Sequence, residues 1–408
     1  MIEWLNAGVT AAKGFEAACA AAGIKYQGRT DMALVYSEAP CVTAGVFTTN
    51  VVKAAPVIWD AELVKSGATG RAVVVNSGIA NACTGQEGLE VCRRTAQAAA
   101  QALDIPEDSV YIGSTGVIGM QIQTERIAEG VKLLAGSKSS SQKAGTLASK
   151  AIMTTDTVNK EIACRVQLGG VPVTIGGMCK GSGMIHPNMG TMLCYITTDA
   201  AVEKSLLQKA LSEIVQDTFN MISVDGDTST NDTLLVLANG LAGNPCVSEE
   251  NEDYRILHDA LYEICLNLCQ RMAADGEGAT RLIECRVEKA DTKEHAKILA
   301  KSVICSNLTK AAVFGKDANW GRVLCALGYS GVLFDPDQVD LYFEAGGESL
   351  LIFTDGAAAD YSEEDATRLL SGEKVVIRAV MHQGDACATA WGCDLTYDYV
   401  RINADYRS

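Results

Sequence analysis

A mixed α/β fold in stacked layers is what this 408-residue sequence predicts, on three observations. Segments with apolar residues three and four apart are interspersed with short β-branched runs. No period of about 20 to 50 residues recurs, which argues against a solenoid or propeller. Hydrophobic residues make up 48% of the chain, enough to bury one large core or two medium ones.

Taken in order, Ala72-Val73-Val74-Val75 reads as a strand, because branched side chains suit a pleated surface. Gln86 to Leu103 reads as a helix, with Leu89, Cys92, Ala96, Ala99 and Leu103 along one face. Val110-Tyr111-Ile112 reads as a strand that gives way to a turn at Ser114–Gly119. Val171 to Ile175, Thr233 to Val236 and Lys374 to Ile377 are further strands. Ala201 to Phe219 and Asp253 to Ala274 are further helices; the second carries Leu257, Leu261, Ile264 and Leu268 on one stripe.

Thirty-four basic against fifty acidic residues leave a net charge of −16, which opposes nucleic acid and anionic lipid and favours a small-molecule partner. No apolar stretch is long enough to span a bilayer, and Met1-Ile2-Glu3-Trp4 does not open a signal peptide, so a cytoplasmic location is expected. The fifteen cysteines are dispersed and never form Cys-x-x-Cys, so they read as small core hydrophobes.

The segment Lys180-Gly181-Ser182-Gly183-Met184-Ile185-His186-Pro187-Asn188-Met189-Gly190-Thr191-Met192-Leu193 delivers a threonine into an apolar run. A glycine before Thr191 tolerates backbone angles that a Cβ forbids and leaves the Gly190 carbonyl open to the Thr191 hydroxyl. Attack, an N-to-O acyl shift and ester hydrolysis would cut the chain at Gly190-Thr191. None of the four histidines lies in a Gly-x-Ser-x-Gly or His-Glu-x-x-His setting, so a histidine triad or zinc site is not indicated. A threonine freed at its α-amine carries its own base, since that amine titrates near pH ~8. The alternative is that Gly190-Thr191 is a loop entering the strand Met192–Ile196.

Acyl transfer needs donors aimed at an oxyanion, and Thr115 with Gly116 is a candidate pair; the alternative is an ordinary turn. Lys180, followed by a glycine and close in sequence to Gly190-Thr191, is a candidate binding residue or else a solvated surface lysine. Thr154, with Thr155 beside it, is a candidate substrate contact or else part of a helix cap. Glu277 sits between two glycines just after a predicted helix, where a carboxylate works against the helix dipole; the alternative is a solvated loop residue. Asp225-Gly226-Asp227-Thr228-Ser229 begins like a calcium loop, but its twelfth position is Val236. Gly176–Ser182 lacks the Walker spacing and no Gly-x-Gly-x-x-Gly follows a strand, so no nucleotide cofactor is implied. Cys265 and Cys269 share a helix face without further ligands and read as core.

The 180–193 segment resembles the self-cleavage segment of ornithine acetyltransferase, the bifunctional ArgJ family of arginine biosynthesis. Further blocks resemble that family in the same order: Gly8–Ala11, Asn76–Gly85, Ser114–Gly119, Met153–Thr157, Ser223–Asp232, Asp275–Thr280, Gly315–Arg322 and Asn403–Tyr406. Three departures stand out: Gly190 where alanine is usual, Ile79 where asparagine is usual, and Ser408 where threonine is frequent.

The resemblance implies an α/β, two-lobed ArgJ-like fold with a layered αββα sandwich, autocleaved into an alpha chain, 1–190, and a beta chain, 191–408. It implies Thr191 as nucleophile, Thr115 and Gly116 as oxyanion hole, and Thr154, Lys180, Thr191, Glu277, Asn403 and Ser408 as substrate-binding residues. The reaction implied moves acetyl from N-acetylornithine to glutamate with no cofactor and no metal. Acetyl-CoA stays open as a second donor, and two copies of each cleaved chain would form a heterotetramer. The rival readings are a self-cleaving amidohydrolase or aminopeptidase, with water as acceptor, and a non-catalytic metabolite-binding protein.

Overall fold

The computed structural model describes residues 1–186 and 192–405. Ten strands come first in the chain: β1 (Glu3–Leu5), β2 (Phe15–Ala20), β3 (Met32–Phe47), β4 (Gly70–Ile79), β5 (Val110–Val117), β6 (Lys160–Leu168), β7 (Val171–Lys180), β8 (Leu193–Thr198), β9 (Ile222–Ser223) and β10 (Thr233–Ala238). All but β9 join one sheet in the order β1-β6-β7-β8-β10-β3-β4-β5, with β2 added beside β3. The long β3 serves two neighbourhoods: Met32–Ser37 pairs with β2, and Val42–Phe47 pairs with β10. Its ladder with β4 slips in register between Tyr36 and Cys41, around Pro40, which has no N–H to give.

Alternation then builds the layers, because successive strand residues point to opposite faces. On β3 and β4, Met32, Leu34, Ala72 and Val74 pack against α2 (Gly85–Leu103) and α3 (Thr124–Ser137), which follow α1 (Ala55–Ser66). Their neighbours Ala33, Val35, Val73 and Val75 face inward, onto Leu193 and Tyr195 of β8 and Leu235 and Leu237 of β10. Cys194, Ile196, Leu234 and Val236 point the other way, into a core with α5 (Lys204–Asp217) and α6 (Glu252–Ala274); α4 (Gln142–Ala151) packs at the edge of the inner layer. The result is helix, sheet, sheet, helix.

The second sheet has the order β14-β13-β12-β15-β11-β16-β9 and uses β11 (Leu282–Ala290), β12 (Asp340–Ala345), β13 (Glu348–Thr354), β14 (Ala357–Ala358), β15 (Lys374–Val380) and β16 (Ala386–Cys393). It packs on α7 (Lys293–Cys305), α9 (Trp320–Gly328) and α10 (Glu363–Leu369), with α8 (Asn307–Gly315) linking the first two. Its core is continuous with that around α6, so the two lobes share one wall. A last helix, α11 (Tyr397–Asp405), has no buried residue.

Every predicted helix and strand is present, with shifted ends. The helix predicted from Ala201 starts at Lys204, because Val202 is drawn into a bridge with Val247. The strand predicted to stop near Ile112 runs on to Val117, since β4 lies parallel beside it and pairs Asn76 with Ser114 through to Ile79 with Val117. Nine cysteines are buried, Cys265 and Cys269 among them, and all fifteen are free. No single helix among the described residues is long and apolar enough to cross a membrane.

Candidate active site

One cavity collects six of the sequence-predicted site residues: Thr115 and Gly116 from β5, Thr154 from the turn after α4, Lys180 from the end of β7, Glu277 from the turn after α6, and Asn403 from α11. Gly190, Thr191 and Ser408 lie outside the described residues.

The glycine at 116 is required by geometry. Its φ is +126°, and a Cβ there would overlap the carbonyl carbon of Gly78 on the adjacent strand. The turn reading of this stretch is therefore replaced by a strand end whose last residues run into the cavity. Thr115 is 8% exposed, and its hydroxyl oxygen accepts a long contact, 3.4 Å, from Lys180 Nζ, leaving its own O–H free to donate. Ser114 points away and bonds Asn76 and the Ile79 carbonyl, each at 2.8 Å. Ile79 itself buries its side chain against α2 and α3, so its departure from the family pattern removes no polar group from the cavity.

Lys180 is not a solvated surface lysine: it is 4% exposed and its Nζ donates to Thr154 Oγ1 at 2.9 Å. Burial pulls its pKa down, against the support of the Asp156 carboxylate 3.8 Å away. Both adjacent threonines line the cavity, and their partners differ. Thr154 is bonded to Lys180, whereas the Thr155 hydroxyl pairs with Ser182 Oγ at 2.7 Å. Neither caps a helix, since the turn leads from α4 into β6.

Glu277 is buried, contrary to the loop reading, and its backbone N–H donates to the Ser182 carbonyl. The left-handed glycine is Gly278, φ +69°, one residue beyond Glu277, and α6 ends instead on Asp275. A Cβ on Gly183 would overlap the Glu277 carboxyl. Asn403 Nδ2 donates to Glu277 Oε2 at 2.8 Å, and Thr396 Oγ1 donates to the Gly278 carbonyl at 2.7 Å, so the C-terminal helix is tied down at the cavity mouth.

The chain on both sides of residues 187–191 is pinned by one loop, Ser223 to Asp232. Asp225 accepts from the Met184 and Ile185 amides, Thr228 Oγ1 donates to the His186 carbonyl, and Asp232 Oδ1 accepts from the Met192 amide at 2.8 Å. Burial lifts the Asp232 carboxyl well above the ordinary range and pushes His186, near Lys301, down to about 4. His186 Nδ1 lies 3.1 Å from Ser223 Oγ.

Sequence reasoning missed Asn231, Ser229 and Met184 as lining residues. Asn231 bridges the layers by donating to the Ala80 and Ser114 carbonyls. Its only sequence signal is membership of the Ser223–Asp232 block. Among the described residues no cluster of three or more His, Cys, Asp or Glu could hold a metal.

Known proteins extend this picture. The ArgJ family model matches residues 16–408. The chain is 51% identical over 409 residues to the arginine biosynthesis bifunctional protein ArgJ of Symbiobacterium thermophilum, covering 100% of both. It is 45% identical over 400 residues to the protein of that name from Bacillus subtilis, covering 98% of this chain and 96% of the relative. A solved chain of the ArgJ protein from Bacillus halodurans is 44% identical with a TM-score of 0.50; the match covers 52% of this chain and 97% of that one. With a family model spanning nearly its whole length and relatives this similar end to end, the chain belongs to the ArgJ family.

Proposed function

We propose that the chain is a self-processing glutamate N-acetyltransferase of arginine biosynthesis, which passes acetyl from N-acetylornithine through Thr191 to glutamate. The observation that carries this is convergence: residues as far apart as 115 and 403 meet at one cavity, and the chain returns at Met192 beside Asp232, next to the lining Asn231. Family membership and the relatives' names support the pathway. The solved relative supports the cut, because a chain matched over 97% of its length by 52% of this one is what a member divided near its middle would give.

In this mechanism the Thr191 hydroxyl attacks the acetyl carbonyl and its proton passes to the Thr191 α-amine. Thr115 and the Gly116 amide face the oxyanion. The proton then goes to the leaving nitrogen of ornithine, and the glutamate amine repeats the attack on the acetyl ester. Lys180 with Thr154 receives the α-carboxylate, and Glu277, oriented by Asn403, receives the ornithine side-chain ammonium. Ser408 joins the substrate-binding set on the family resemblance alone. Amide is exchanged for amide, so the cavity must exclude water while the ester waits.

The test has two parts. Denatured intact mass with N-terminal sequencing should show two fragments, one starting at Thr191, where an uncut chain of 43.1 kDa would remove the nucleophile's base. With both substrates present, acetylglutamate should accumulate; free acetate in its place would select the hydrolase reading.

A further inference from the structure

Behind Lys180 lies a set of buried charges that the proposed transfer does not use and that does not line the cavity. The side chains of Asp156 and Lys160 are fully buried and that of Asp275 is 6% exposed. Lys160 Nζ donates to Asp156 Oδ1 at 2.7 Å and to Asp275 Oδ2 at 2.6 Å. Asp156 Oδ1 also accepts from the Gly181 amide at 2.7 Å, and Oδ2 accepts from the Thr154 amide at 3.2 Å while lying 3.8 Å from Lys180 Nζ. One carboxylate therefore holds the backbone beside Lys180, the backbone of Thr154 and the Lys180 ammonium.

We propose that Asp156, braced by Lys160, is a positioning residue that keeps Lys180 charged and aimed beside Thr154 to receive a substrate carboxylate. The proposal rests on the acetyl-transfer reading only for which carboxylate arrives.

An ammonium stripped of water favours its neutral form unless a counter-charge stands close. At Lys180 burial is the largest influence, Asp156 opposes it, and the like charge of Lys160 adds to it. Glu277, Asp232 and Cys179 also face it. Burial lifts the Asp232 carboxyl above its ordinary range and the Cys179 thiol to about 12, and of the carboxylates that support the ammonium Asp156 acts most strongly. Burial alone would raise Asp156, but the ammonium groups of Lys180 and Lys160 bring it down to about 2. An amide at 156 would remove the strongest counter-charge and leave Glu277 and Asp232 to oppose burial and the repulsion of Lys160.

The experiment uses the full chain as wild type, Asp156→Asn and Lys160→Met. Lys180 is trace-labelled with acetic anhydride across a pH series, and the labelled fraction is read by mass spectrometry. The labelling midpoint should fall by about one pH unit or more in Asp156→Asn and rise in Lys160→Met, because the two neighbours act with opposite sign. In Asp156→Asn the KM for N-acetylornithine should rise about tenfold near pH 8 and recover as the pH is lowered, with kcat little changed. An unchanged midpoint, or shifts of the same sign in both variants, overturns the proposal. If one variant does not fold, the sign seen in the other decides. Wild-type protein that transfers no acetyl while the midpoints split as stated would sink the acetyl-transfer reading and leave the Lys180 assignment standing.

Discussion

Two glycines concentrate the chemistry of the cavity into backbone geometry. Gly116 has no room for a Cβ against Gly78, so Gly116→Ala must shift the strand end that presents its amide. We expect kcat to fall by about 10²–10³, the usual cost of losing an oxyanion donor, as read in an acetyl-transfer assay. Gly183→Ala presses on the Glu277 carboxyl and should raise KM for N-acetylornithine more than it lowers kcat. His186 makes a pH prediction with a definite sign. Burial holds it at about 4 in the fold against the ordinary 6.5, so the unfolded chain takes up a proton the fold refuses. Its contribution is fully present above 6.5 and is lost as the pH falls toward 4. His186→Gln should flatten that part of the stability profile, measured as urea midpoint against pH. Unchanged profiles would show that another group controls it.

At the level of elements, α11 offers a clean separation of site from stability. It buries no residue, yet carries Asn403 onto Glu277. A chain ending after Thr396 should keep its melting temperature within about 2 °C, because little apolar area is lost. It should bind N-acetylornithine more weakly, since Glu277 loses its orienting partner. A large fall in melting temperature would show that the helix is structural after all. The β4–β5 pair makes the complementary point: a parallel ladder carried to Ile79 and Val117 places Thr115 and Gly116 at a rigid strand end where a loop would hold them less well.

For the whole molecule, the arrangement of the sheets governs what a cut at residue 190 would do. β7 and β8, on either side of it, are antiparallel neighbours inside the nine-stranded sheet, pairing Ile175 with Thr198 through to Lys180 with Leu193. The inner core mixes Val73, Val75 and Met178 with Leu193, Tyr195 and Leu235. The two fragments should therefore run as one species on native size exclusion and separate only on denaturation. Fragments that part without denaturant would contradict this packing.

Sequence alone settled the class of layers, because the periods of β-branched runs and helical stripes are local and each run reports its own environment. It also marked Thr115, Gly116, Thr154, Lys180, Glu277 and Asn403, through block resemblance in the last case almost wholly. What it could not settle was decided by contacts between distant segments. Ser114–Val117 reads locally as a turn, and only the parallel partner β4 makes it strand. The burial of Lys180 has no local signal, and only the place of β7 inside the sheet decides it. Asp156 has no sequence signal beyond membership of the Met153–Thr157 block, since its role comes from Lys160, Gly181 and Lys180 meeting around one carboxylate. Periodicity encodes which face a residue turns inward; the partner it meets there depends on chain closure over long separations, and only the tertiary structure supplies that.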